Sequence, residues 1–447
     1  MNDFDFFSVS DDDRARALAH AKNAAASAAH IPDIPEDTPL RTVQRVAVIG
    51  AGTMGGGIAM SLANIGIPVT LIDANAQGLE RGLQRVRDNY ATTVKRGKLQ
   101  QGEMDQRISL IKGSFLISDV KDADMVIEAV FEDMGLKQDI FRQLDALCRP
   151  GAILATNTSG LDVDQIAEVT HRPQDVVGAH FFSPAHVMRL LEVVRGAKTA
   201  DDVIVTLMDL GRRMGKIAVL SRIYPGFIGN ALFRNYTREA HFLVEDGALP
   251  HEVDAALKKF GYAMGIFAVH DMAGNDVGYQ TRKAQMATRP SDRRWNDLIM
   301  KLCDLGRLGQ KSGKGWYRYD AGDRTPHRDP EVEQYIVDES ARMGLKRREM
   351  NENEIVKRCL YGMINEGAKL LAQKIAMRPS DIDITYLTGY GFPAHQGGPM
   401  FLADRIGLDK VLADIKRLHA EYGYWWQPAP LLEQLVREGR NFADLQY

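Results

Sequence analysis

The chain has 447 residues, 45% hydrophobic and 26% charged, with a formal net charge of −3. That is the make-up of a folded protein of two or three domains, and the charge excludes a broad nucleic-acid-binding surface. Its three cysteines, Cys148, Cys303 and Cys359, lie far apart and form no C-x-x-C pair, which excludes a disulfide framework or thiolate metal site and fits a reducing cytoplasm.

From the start, residues 1–10 read as disordered, and MNDFDFFSVS has no cleavable signal pattern. Three acids, Asp11, Asp12 and Asp13, precede a stretch to residue 30 that carries nine alanines, which predicts a helix start. Pro32, Pro35 and Pro39 then predict an extended linker. No apolar run has transmembrane length, so no membrane span is expected.

The segment RVAVIGAGTMGGGIAMSLANIGIPVTLID, residues 45–73, reads strand, glycine turn, helix, strand, acid. Gly50, Gly52 and Gly55 form G-x-G-x-x-G. Gly50 permits the tight turn, Gly52 lets the backbone approach a pyrophosphate, and Gly55 lets the helix pack on the strand. Thr53 and Met54 lie at the helix N-terminus, whose free N–H groups favour phosphate. Asp73, 23 residues after Gly50, is placed to accept both ribose hydroxyls, and no Arg or Lys follows before Arg81. The expected cofactor is therefore NAD and not NADP; the motif alone leaves FAD open.

Between about residues 44 and 220, strand patterns at 46–49, 69–72, 125–129, 153–156, 176–179 and 191–194 alternate with helical ones. This predicts a mainly parallel sheet covered by helices. A charged helical hairpin, about 76–106, is inserted after the second strand; its Arg85, Arg87, Lys95, Arg96 and Lys98 suit a solvated face or an anionic ligand tail.

In VVGAHFFSPAHVMRLLEVV, His180 follows an apolar strand, where doubly wound folds place ligands. Glu192 lies inside the next apolar run, and a carboxylate there is costly unless paired. An imidazole would satisfy it, and the pair would form a general base. The alternative is a satisfied core histidine beside a solvated edge acid. His171 and His186 are rivals on loop positions. No G-x-S-x-G elbow supports acyl-enzyme chemistry, and no His-x-x-x-His pattern supports a metal site.

From Tyr224 onward helices dominate and repeat. The 11-residue span from Ile228 to Glu239 matches that from Ile355 to Glu366. Pro250 and Asp254 are spaced like Pro379 and Asp383, and Gly265, Asp271, Gly274 and Asp276 like Gly398, Asp404, Gly407 and Asp409. The C-terminal ADLQY is not a peroxisomal address.

The strings VAVIGAGTMGGGIA, ADMVIEAVFEDMGLKQDIF, ATNTSGL, HFFSPAHVMRLLEVV, PGFIGN, GYAMGIFAVHDMAG, LGRLGQKSGKGWY and GYGFPAHQGGPMF, in this order, resemble the L-3-hydroxyacyl-CoA dehydrogenases over residues 40 to about 440. The resemblance is to the dehydrogenase half of multifunctional β-oxidation enzymes, and DTPLRTVQRV resembles the join after their hydratase domain. It implies an α/β Rossmann-type NAD domain followed by two repeated all-α domains of the 6-phosphogluconate-dehydrogenase-like kind. The expected boundaries are 1–40 for the N-terminal helix and linker, 41–223 for the NAD domain, 224–320 for the first helical domain, 321–351 for a connector and 352–447 for the second.

By the same resemblance His180 is the catalytic base and Glu192 its partner. Ser159 is the residue that hydrogen-bonds the substrate's C3 oxygen, and Asn230 completes the set from the helical domain as domains close. Glu132, Lys137 and Lys311 are implied cofactor contacts. Ser183 stands where the short mitochondrial-type enzymes carry asparagine. The implied substrate is an acyl-CoA thioester lying between the NAD domain and the first helical unit. The second copy is expected to replace a dimer partner, giving a monomer, with a hydratase or thiolase as functional partner. The 40 residues before the NAD domain are too few for a hydratase domain, so no enoyl-CoA hydration is expected; residues 1–30 read as a relic of an inter-domain helix or as a docking segment. A carnitine-type or hydroxy-acid dehydrogenase on the same fold, and a silent scaffold, are the competing readings.

Overall fold

A computed structural model describes residues 4–445, apart from the side chains of Thr281, Ala284 and Gln285. Residues 1–3 of the leader and 446–447 of the C-terminal pentapeptide lie outside the described residues. The chain forms two compact units. One comprises residues 21–231 and 373–390, the other residues 4–20, 232–372 and 391–445.

The first unit is built on an eight-stranded sheet. Its strands are β1 (Val46–Ile49), β2 (Val69–Ile72), β3 (Ile111–Ser114), β4 (Met125–Glu128), β5 (Ile153–Thr156), β6 (Val176–Phe181), β7 (Leu190–Arg195) and β8 (Ile217–Arg222). The order is β3-β2-β1-β4-β5-β6-β7-β8, parallel throughout except that β7 runs antiparallel to β6. Alternate residues serve opposite faces. Val46 and Val48 join one core cluster with Leu71, Ile127 and Ala155, whereas Ala47 and Ile49 join another with Val126 and Leu154. Both faces being covered, the strands read as continuous apolar runs and not as alternating ones.

Two differences from expectation stand in the sheet. β3 and β8, the edge strands, were not expected. β6 runs two residues further than the apolar pattern suggested, so His180 lies within the strand, directly opposite Glu192 on β7. The expected hairpin is present as helices Ala76–Lys95 and Gln101–Ser109. Of the linker, Ile31 and Ile34 enter the core of this unit, and the Arg41 guanidinium is held by Asp175 at 2.6 Å and Asp202 at 2.8 Å.

The second unit is helical, with no strand among its described residues. The leader is not loose there. Phe6 is completely buried, edge-on to Phe260 and Tyr361, and the Asn353 side chain binds the Phe4 carbonyl and the Phe6 amide. Burial of Phe6 overturns the disordered reading for residues 4–10. The repeat is physical: Asp271 accepts from the amides of Trp316 and Tyr317, and its match Asp404 accepts from those of Phe442 and Ala443. Arg358 of the second copy pairs with the buried Glu239 of the first at 3.2 Å.

Candidate active site

The glycine turn joins β1 to helix Thr53–Ala63. Gly50 has φ +99°, a conformation that other residues adopt only with strain. A Cβ on Gly55 would collide with the Gly50 carbonyl, so only glycine lets this helix sit on the turn. At Gly52 a Cβ would meet nothing within 4 Å. The space before the helix N-terminus is open, and no side chain caps its N–H groups. Asp73, at the end of β2, accepts from the amides of Ala51 and Asn75 at 2.9 Å each, which holds the carboxylate beside the turn.

Gly50, Gly52, Thr53, Met54 and Asp73 line one cavity of about 810 Å³, with Gly55 packed behind it. Free helix-end amides beside a carboxylate fit a pyrophosphate and its adenosine ribose. Arg81 and Arg85 of the hairpin line the same cavity.

A second cluster forms where β6 and β7 pair. His180 Nδ1 lies 2.6 Å from Glu192 Oε2, and Glu192 is completely buried. The other carboxylate oxygen accepts from the amides of Ile228 at 3.1 Å and Gly229 at 2.9 Å, at the start of helix Gly229–Asp246. The carboxylate is thus compensated by an imidazole on one side and a helix N-terminus on the other. Phe227 precedes these amides with φ +53°, an uncommon conformation for a bulky residue. Its ring packs 5.8 Å from that of His180, and Phe182 packs at 4.2 Å on the same imidazole. The ring is thereby held in direction, and a carboxylate at Nδ1 favours the tautomer protonated there.

Ser159 follows β5. Its amide and hydroxyl both donate to Glu132 Oε1, at 2.7 and 2.9 Å, and its carbonyl accepts from Asn230 Nδ2 at 3.2 Å. Asn230 therefore meets Ser159 inside one compact unit; no closure is needed to join them. The expected cofactor contact Lys137 is enclosed by protein groups. Its ammonium is fully buried and hydrogen-bonded to both oxygens of Glu128 and to the Asn157 carbonyl, so it braces the ends of β4 and β5. Lys311 belongs to the other unit, where it pairs with Asp276 at 2.5 Å.

The rival histidines stand elsewhere. His171 has an exposed side chain bonded to Asp145 at 2.7 Å. His186 is held below the usual imidazole range by burial and by the charge of Lys216. Sequence reasoning missed Glu128, although it shows the signal that revealed Glu192: a carboxylate in an apolar strand. It also missed Lys216, whose ammonium donates to the carbonyls of Ala185 and Met188 at 2.6 and 2.8 Å and so anchors the loop between His180 and Glu192. Burial pushes this lysine down to about 8.

Residues 45–223 match the NAD-binding domain of 3-hydroxyacyl-CoA dehydrogenase, and residues 226–319 and 355–443 each match its C-terminal domain. The peroxisomal bifunctional enzyme of Danio rerio is 45% identical over 413 residues, 89% of this chain and 57% of that protein. The peroxisomal bifunctional enzyme of Homo sapiens is 40% identical over the same shares. The chain thus spans little more than half the length of these relatives. Among solved structures, the dehydrogenase part of multifunctional enzyme 1 from C. elegans matches with a TM-score of 0.68 and 29% identity, covering 96% of this chain and 98% of that one. A 3-hydroxybutyryl-CoA dehydrogenase from Escherichia coli matches at TM-score 0.77 and 28% identity, covering 89% and 99%. The relatives carry peroxisomal or glyoxysomal names, which overturns the cytoplasmic expectation. With both of its domain types matched in order, and with the NAD site built as described, the chain belongs to the 3-hydroxyacyl-CoA dehydrogenase family.

Proposed function

We propose that this chain oxidises L-3-hydroxyacyl-CoA to 3-oxoacyl-CoA in peroxisomal β-oxidation, reversibly, with His180 as the general base. The observation that carries this reading is the buried His180–Glu192 pair, 2.6 Å apart, on the sheet that also bears the dinucleotide turn. His180 Nε2 takes the C3 hydroxyl proton while the C3–H bond breaks. Bound NAD supplies the acceptor for that hydride. Glu192 stabilises the imidazolium that forms, an effect strengthened by burial. Ser159 and Asn230 orient the C3 oxygen, and Glu132 holds Ser159 in place. In reduction His180 returns the proton. Hydration of a 2-enoyl-CoA makes the substrate and thiolysis consumes the product, which supports a hydratase and a thiolase as functional partners.

Purified protein with NAD is expected to form NADH from L-3-hydroxyacyl-CoAs of short, medium and long chain, but not from the free hydroxy acids. Absence of NADH with every thioester would defeat the proposal. The Glu239–Arg358 pairing of the two helical copies supports a monomer. Light scattering is expected to return the mass of one chain; a dimer formed through residues 225–320 would refute this.

A further inference from the structure

Helix Pro379–Gly389, in the second repeat, ends at Tyr390, and this side chain reaches the cluster around His180. The Tyr390 hydroxyl donates to Asn230 Oδ1 at 2.7 Å. Asn230 uses its other end, Nδ2, to donate to the Ser159 carbonyl at 3.2 Å. An amide side chain keeps its shape when turned over, so its direction is set by its hydrogen-bond partners. Here a hydroxyl faces the oxygen and a carbonyl faces the nitrogen. One Nδ2 hydrogen is thereby used on Ser159, and the second is not engaged by that carbonyl.

The Tyr390 ring is itself held. It stacks on Tyr386 at 4.7 Å and 15°, and it meets Phe182 edge-on at 5.5 Å; Phe182 in turn lies on the His180 imidazole. The Tyr386 hydroxyl donates to the Gly229 carbonyl at 3.0 Å. A Cβ on Gly229 would run into the Tyr390 ring, so glycine is required at a residue whose amide also serves Glu192. One aromatic pair from the second repeat thus braces Asn230, Gly229 and Phe182 together.

We propose that Tyr390 is a positioning residue of the dehydrogenase reaction, fixing the Asn230 amide with its nitrogen toward the reacting oxygen. The second helical copy is then part of the active site and not only a replacement for a dimer partner. This inference rests on the reaction proposed above. The hydroxyl also polarises the amide, because an oxygen that accepts a hydrogen bond makes its own N–H groups better donors.

The test is a double-mutant cycle in the full chain with a hydroxyacyl-CoA that the wild type turns over. Tyr390→Phe removes the hydroxyl and keeps the stacked ring. It is expected to lower kcat about five- to tenfold, the size of one lost hydrogen bond, with KM within about twofold and an unchanged thermal midpoint. In an Asn230→Ala background the same change is expected to alter kcat by less than about twofold, because a residue that acts through Asn230 has nothing left to act on. Tyr390→Leu, which also removes the ring, serves as the packing control and is expected to lower the thermal midpoint. Wild-type kcat in Tyr390→Phe overturns the inference, and so does an equal loss in both backgrounds or a loss that follows the thermal midpoint. If the wild type itself reduces no NAD, the proposed reaction falls and this inference with it; an active wild type with an indifferent Tyr390→Phe sinks this inference alone.

Discussion

Replacing His180 by glutamine is expected to lower kcat about 10³-fold in both directions while leaving the affinity for NAD within about twofold. In the proposed mechanism the same imidazole takes the proton in oxidation and returns it in reduction, and because the equilibrium constant is fixed, kcat/KM must fall by the same factor in both directions. NAD affinity is spared because His180 does not line the cavity formed by the glycine turn and Asp73. Glutamine is the informative choice. Its amide can still donate to Glu192 Oε2, so the buried carboxylate keeps a partner and the sheet keeps its packing, but an amide cannot take up a proton at neutral pH. His180→Ala removes the donor as well. It is expected to lose activity to the same degree and some stability besides, since it leaves one oxygen of a fully buried carboxylate unpaired. Stopped-flow or steady-state NADH formation, beside NAD titration by fluorescence quenching, reads both quantities. A glutamine variant that keeps a tenth of wild-type kcat would remove His180 from the chemistry.

How much of this was legible in the chain differs by scale. The dinucleotide turn was readable because its requirements are local: Gly50, Gly52 and Gly55 act within six residues, and Asp73 ends the next strand. The His180–Glu192 pair was readable for a different reason. A carboxylate inside LLEVV demands a partner, and an antiparallel hairpin with His180 in the preceding strand supplies one in register. The same demand exists in MVIE, where Glu128 binds Lys137 and Thr156, and it went unread. The edge strand β3, IKGS, leaves two of its four residues exposed and carries little apolar signal. β8 has four buried residues in a row and was readable, but no motif drew attention to it. Tyr390 lies 160 residues from Asn230. No spacing rule joins two residues so far apart; only the packing of the second repeat brings them together. The buried Phe6 escaped for the same reason, because its partners are hundreds of residues away.

Glu192→Gln is expected to lower kcat about 10³-fold or more without unfolding the protein, and the cause would be the tautomer of His180. Glu192 uses one oxygen on the amides of Ile228 and Gly229 and the other on His180 Nδ1. In the variant the amide oxygen would stay with the two backbone donors, because turning the group over would set its NH₂ against two N–H groups. The NH₂ then faces Nδ1 and needs an acceptor there, which moves the imidazole proton to Nε2. An imidazole protonated at Nε2 cannot take the substrate's proton. The equivalent exchange in serine-hydrolase triads costs about 10⁴-fold in kcat through this wrong tautomer. Glu192→Leu should behave differently. It would strand two buried N–H groups as well as Nδ1, and is expected to destabilise the fold by about 2–4 kcal/mol. Nitrogen-15 NMR of the histidine ring separates the causes, with Nδ1 protonated in the wild type and Nε2 protonated in Glu192→Gln. If the variant keeps the Nδ1 proton and still loses activity, the carboxylate acts chiefly by its charge on the imidazolium. If it keeps wild-type kcat, Glu192 is a structural anchor for the start of helix Gly229–Asp246 and the base at His180 works without it.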